Sequence, residues 1–73
     1  MTIIETTITD YTRFPNTPDG NPRWTIETDA GNVYATNPDS GAGYVINDQR
    51  YPARARLTLD GNWRICGLEY MED

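Results

Sequence analysis

Apolar residues along this chain recur at every second position in short stretches, and Gly or Pro interrupts any longer run. That period belongs to β-strands, and the stretches are rich in Thr, Ile, Val, Tyr and Trp, as strands are. The cleanest alternation is Ala53-Arg54-Ala55-Arg56-Leu57-Thr58-Leu59, which sends Ala53, Ala55, Leu57 and Leu59 inward and Arg54, Arg56 and Thr58 outward. Thr2 to Arg13 reads as a longer first strand of mixed phase. Ile4, Thr6 and Ile8 share one face, and Ile3, Thr7 and Tyr11 share the other. A strand that changes its buried face partway is a bent strand, of the kind small barrels use. Phe14 to Pro22 holds three prolines with Asn, Asp and Gly, the composition of a loop.

Two hairpins follow from the turn residues. Arg23 to Thr28 is the second strand, Asp29-Ala30-Gly31-Asn32 a turn, and Val33 to Thr36 the third strand. A four-residue loop pairs Thr28 with Val33 and Ile26 with Ala35, which gathers Trp24, Ile26, Val33 and Ala35 inside. Ala53 to Leu59 is the fourth strand and Trp63 to Tyr70 the fifth. A three-residue Asp60-Gly61-Asn62 loop pairs Leu59 with Trp63, Leu57 with Ile65, Thr58 with Arg64, and Arg56 with Cys66. The segment from Asn37 to Gln49 predicts a short helical turn or an irregular crossover, with Tyr44, Val45 and Ile46 packing inward. Gly41 and Gly43 each weaken a helix by about 1 kcal/mol relative to alanine.

The order is therefore three strands, a short helical crossover and two strands, in one domain spanning 1–73. It predicts an all-β fold, a small five-stranded barrel of the oligonucleotide-binding (OB) order, with an SH3-like barrel as the alternative. Closure would remove the exposed edges that an open sheet of this size leaves.

Composition narrows the chemistry. The chain has 73 residues, a single cysteine and no histidine. An intrachain disulfide is excluded, and so are a histidine general base and the commonest zinc ligand. Gly41-Ala42-Gly43 lacks the spacing and context of a phosphate loop. The acids Asp10, Asp19, Asp29, Asp39, Asp48 and Asp60 fall in or beside turns, where Asp caps its own backbone. Cys66 reads as a small packed residue beside Arg56. No catalytic residue, metal site or cofactor is expected. Neither a membrane span nor a targeting segment is legible, so the expected setting is a cytoplasm.

The eleven acidic and six basic residues give a net charge of -5, and every basic residue is an arginine. Net acidity opposes binding to nucleic acid or membrane. Arginine, however, concentrates on the expected outer strand faces. Arg54, Arg56 and Arg64 are predicted to share the outer face of the last hairpin, Arg23 to lie on the second strand, and Tyr34 and Tyr51 to point outward. These six residues form the candidate interaction surface. Arginine beside exposed aromatic rings suits protein hot spots and base stacking alike.

The stretches Arg13-Phe14-Pro15-Asn16 and Gly20-Asn21-Pro22-Arg23, with Asp39-Ser40, Gly43-Tyr44 and Leu57-Thr58-Leu59-Asp60-Gly61, resemble small accessory proteins encoded by bacteriophages of actinobacteria. The arginine-only composition suits such GC-rich genomes. The resemblance implies a phage protein acting in a bacterial host cytoplasm and carries no activity with it. The expected function is a non-enzymatic module that binds a host or phage protein. The alternatives are single-stranded nucleic-acid binding through the arginine–aromatic face, and acidic mimicry of nucleic acid. A chain this short and unstapled also invites a homodimer.

Overall fold

A computed structural model describes residues 1–46 and 51–71. Five strands account for most of it: β1 (Thr2–Phe14), β2 (Arg23–Thr28), β3 (Val33–Ala35), β4 (Ala53–Leu59) and β5 (Ile65–Tyr70). Between β3 and β4 come a 3-10 turn at Pro38–Ser40 and a single helical turn, α1 (Ala42–Val45). The part of the expected crossover at 47–49 lies outside the described residues. The strands form one sheet in the order β3-β2-β1-β4-β5, with every neighbouring pair antiparallel.

The mixed phase of β1 has a direct structural cause. Its first half pairs with β4, from Thr2 opposite Leu59 to Ile8 opposite Ala53. Its second half pairs with β2, from Asp10 opposite Glu27 to Phe14 opposite Arg23. The register slips between Ile8 and Asp10, which leaves Thr9 as the extra residue of a bulge. A bulge bends the strand and resets its alternation. Ile4, Thr6 and Ile8 face the core before the bulge, and Tyr11 and Arg13 lie on the face of Ile26 and Trp24 after it.

The sheet does not close into the expected barrel. Its two edges, β3 and β5, meet at one parallel bridge between Thr36 and Ile65, where the Asn37 amide donates to the Ile65 carbonyl at 2.8 Å. Strand β3 has only three residues, so the edges run side by side too briefly to form a ladder.

The core comprises Ile8, Trp24, Ile26, Ala42, Ile46, Ala55, Leu57, Leu59 and Ile65. Burying each large aliphatic side chain among them contributes roughly 1.5–3 kcal/mol. α1 joins this core through Ala42, with Ile46 just beyond its end. Tyr44 and Val45 are exposed, contrary to the expected inward packing. A single helical turn has only one face to bury, and Ala42, Gly43 and Ile46 occupy it.

Both expected hairpin registers are corrected, the first by one residue and the second by two at its turn. In the β2–β3 hairpin, the Thr28 amide donates to Asn32 O and the Gly31 amide to Thr28 O, both at 3.0 Å. The loop is thus three residues, 29–31, with Gly31 left-handed at φ +85°. Glu27 now faces Val33, Ile26 faces Tyr34 and Thr25 faces Ala35. Val33 and Ala35 are turned outward, and Tyr34 packs against the core.

The β4–β5 hairpin repeats this design. The Asp60 amide donates to Arg64 O at 2.9 Å and the Trp63 amide to Asp60 O at 3.0 Å. Its loop is 61–63, with Trp63 in the left-handed position at φ +60°. Leu59 therefore faces Ile65 rather than Trp63, and β5 begins two residues later than expected. A second slip, which makes Cys66 a bulge residue, puts Leu57 opposite Leu68 and Arg56 opposite Glu69. Cys66 lies opposite no arginine; its thiol donates to the Thr58 carbonyl at 3.4 Å.

Candidate interaction groove

The outer face of the β1–β2–β3 half is set by its register. Phe14 opposes Arg23, and Thr25 opposes both Thr12 and Ala35, so these side chains alternate with the buried Trp24 and Ile26. At one end of this face lies a groove of about 420 Å³. Phe14, Pro18, Ala35 and Pro38 give it apolar walls, and Arg23 and Arg64 reach it from two different hairpins. Among the described residues, no carboxylate lines it. Asp19 and Asp39 are exposed, and each is next in sequence to a lining proline.

Three local structures hold the walls. The loop between β1 and β2 folds on itself: the Asn21 amide donates to Thr17 Oγ1 at 3.1 Å, and the Gly20 amide donates to Thr17 O at 2.8 Å. Arg13 donates to Asn16 Oδ1 and lies 5.0 Å over the Trp24 ring, which ties the loop's first residues back to β2. Thr36 is buried, and its Oγ1 accepts from the Trp24 amide at 3.1 Å. Trp24 Nε1 donates to the Gly43 carbonyl at 2.9 Å, so the floor of the groove is fixed to α1.

Asp60 holds the third wall. Its Oδ1 accepts from the amides of Asn62, at 2.8 Å, and Arg64, at 3.0 Å. Its Oδ2 accepts from Asn37 Nδ2 at 3.0 Å, which fastens the β4–β5 turn to the segment following β3. The Arg64 amide above all, with those of Asn62 and Asn37, holds the Asp60 carboxyl below its ordinary pKa.

The six sequence-predicted surface residues part into three groups. Arg23 and Arg64 meet at the groove. Arg54 and Arg56 lie on the outer face of the β1–β4–β5 half and do not line it. Arg54 contacts Thr7 Oγ1 at 3.4 Å, and Arg56 lies 3.5 Å from Glu5 and 3.9 Å from Glu69. Such solvated ion pairs are worth little. Tyr34 and Tyr51 are not outward platforms, because both pack against the core. Tyr51 sits 4.9 Å from the Tyr11 ring and shares a hydroxyl–hydroxyl hydrogen bond of 2.5 Å with Tyr70. Burial raises the pKa of both phenols, and the Tyr51 bond raises Tyr70 further.

Sequence reasoning missed Phe14, Pro18 and Pro38 as groove residues, because loop composition says nothing of which wall a loop will form. It also placed Trp63 in the core. The side chain is 61% exposed, on a turn whose backbone disfavours any bulky residue. The signal was present in the parallel between Thr28-Asp29-Ala30-Gly31 and Asp60-Gly61-Asn62-Trp63.

Among the described residues no cluster of His, Cys, Asp or Glu has the make-up of a metal site, and no helix is long and apolar enough to cross a membrane. No protein-family model, no curated protein and no solved structure matches the chain.

Proposed function

We propose that this chain is a non-enzymatic protein-interaction module that docks a partner segment in the groove between its two hairpins. The carrying observation is the convergence of Arg23 and Arg64 on a groove walled by Phe14, Pro18 and Pro38 and lined by no described carboxylate. The partner chemistry that fits is an aromatic ring flanked by carboxylates. The ring meets proline and phenylalanine surface, and the carboxylates meet guanidinium forks.

We further read the sheet as an incomplete barrel of the OB order. The strand order, and a parallel bridge between the end of β3 and the start of β5, support this reading. In that fold the face of strands two and three, with the loops joining strands one–two and four–five, forms the ligand surface. The groove is built from those elements. The same fold binds oligonucleotides, which favours a single strand of nucleic acid as the second reading. The net charge of -5 opposes it, because an acidic protein repels a chain of phosphates.

Titration with an acidic peptide carrying a central tryptophan, set beside oligothymidylate, tests both readings. Peptide binding that weakens at least about tenfold in Arg23→Glu or Arg64→Glu supports the protein module. Oligothymidylate binding that falls steeply with salt supports the second reading. Binding of neither probe overturns the groove as a docking site.

A further inference from the structure

Tyr11, Tyr51 and Tyr70 form an aromatic cluster that takes no part in the groove. The Tyr11 and Tyr51 rings lie tilted with centres 4.9 Å apart, and the Tyr51 and Tyr70 ring centres are 6.4 Å apart. The hydroxyls of Tyr51 and Tyr70 meet at 2.5 Å, one donating to the other. Three parts of the chain bring the rings together. Tyr11 lies in β1 past its bulge, Tyr51 stands two residues before β4, and Tyr70 ends β5. The ladder holds Tyr70 in place: it faces Ala55, and the next amide, of Met71, donates to Arg54 O at 2.9 Å. Tyr51 and Tyr70 are half-buried, and Tyr11 is 42% exposed.

A phenol that loses one electron and one proton becomes a phenoxyl radical, which shares its unpaired electron with the ring carbons ortho to the oxygen. Two such radicals join through those carbons, and the ring hydrogens then move to the oxygens to restore two phenols. The product holds its two oxygens side by side. A hydroxyl–hydroxyl contact sets the oxygens, and with them the ortho carbons, near one another beforehand. Among the described residues only Tyr51 and Tyr70 make such a contact. Burial raises the pKa of both, so each keeps its proton at neutral pH and the contact persists. We propose that Tyr51 and Tyr70 are an oxidative cross-linking site, at which a haem peroxidase working on hydrogen peroxide joins their ortho carbons as dityrosine. Each phenol gives up one electron and one proton, and the peroxide takes both pairs and becomes water. Tyr11, the exposed member, is where the oxidant draws the electrons, and its contact with Tyr51 refills it. The bond closes the end of the β4–β5 hairpin away from its turn, in a chain whose one cysteine cannot form an intrachain disulfide.

Treatment of dilute protein with a haem peroxidase and hydrogen peroxide, followed by peptide mapping in a mass spectrometer, tests it. The expected product is a single chain lighter by two hydrogens, with dityrosine fluorescence, whose joined peptides hold Tyr51 and Tyr70. Its urea midpoint should rise, because the bond constrains the unfolded chain. Tyr51→Phe and Tyr70→Phe keep the rings, and each should lose this product. Tyr44→Phe should keep it, since Tyr44 is exposed and no tyrosine ring lies beside it among the described residues. The same treatment in urea should cut the intrachain yield at least about tenfold, because the fold supplies the proximity. An intrachain bond that forms equally well in urea, or that maps to Tyr11 and Tyr51, overturns the proposal. Dityrosine formed only between molecules overturns it too, as does oxidation confined to Trp63, Cys66 or Met71.

Discussion

Three residues decide more than their size suggests. Gly31 has open space where a Cβ would go, so the cost of replacing it is purely one of backbone conformation. Gly31→Ala should destabilise by about 1–2 kcal/mol in urea unfolding, the usual cost of a left-handed non-glycine residue. Gly43 is the opposite case. A Cβ there would lie 2.8 Å from the Pro22 carbonyl oxygen and 3.2 Å from Trp24 Cδ1, on a rigid wall rather than a mobile side chain. Gly43→Ala should cost about 1–3 kcal/mol by overpacking, with no loss from the helix turn itself. A loss under about 0.5 kcal/mol at either site would contradict these assignments. For Trp63→Gly two effects of similar size oppose each other. Relief of strain contributes about 1–2 kcal/mol, and the added freedom of the unfolded glycine costs about 0.5–1 kcal/mol. The net change in urea unfolding should lie between about zero and about 1.5 kcal/mol in favour of the variant, and a marked loss of stability would show that the Trp63 side chain holds the fold.

At the scale of elements, strand positions were legible and registers were not. The second and fourth strands coincide with Arg23–Thr28 and Ala53–Leu59, because alternation and turn residues mark both ends. Register depends on which loop residue turns left-handed, and sequence marks this well for a glycine and poorly for a tryptophan. The β2–β3 register therefore moved by one residue, which exchanges the faces of β3, and the β4–β5 register moved by two at its turn, which does not. That is why Val33 lies outside and Tyr34 inside, whereas Trp63 lies outside because it falls in the turn itself. The Asp60 turn carries a pH dependence. Its folded pKa is depressed, so the stabilisation it gives is complete above the ordinary carboxylate value of about 3.9 and is lost as pH falls through the lowered value. The amides of Asn62 and Arg64 should titrate together in NMR spectra, with a midpoint below about 3.9. Separate midpoints, or one at the ordinary value, would show that Asp60 does not hold the turn.

Across the whole molecule, the sequence located the arginines on strand faces but not which of them would meet. Arg54 and Arg56 share a strand and are occupied by Thr7, Glu5 and Glu69. Arg23 and Arg64 sit on separate hairpins and come together only because the sheet curls until Thr36 bridges Ile65. That convergence is a tertiary property, and no local pattern encodes it. Thr36 is itself held to β2, since its hydroxyl accepts from the Trp24 amide. Thr36→Val keeps the shape and leaves that buried N–H unpaired, at a cost of about 1–3 kcal/mol. Peptide binding at the groove should weaken along with stability. A variant as stable as the parent would show that the bridge does not depend on this hydroxyl.

The bulge at Thr9 gives one strand membership in both halves of the sheet, and this bears on the order of events during synthesis. The second half of β1 has its partner within reach as soon as β2 emerges. The first half must wait for β4, since Thr2 pairs with Leu59 near the other end of the chain. Such distant pairing slows folding, because the chain loses loop entropy before the contacts form. Until then Ile4 and Ile8 have no β4 to cover them, and the nascent chain presents them to whatever lies nearby.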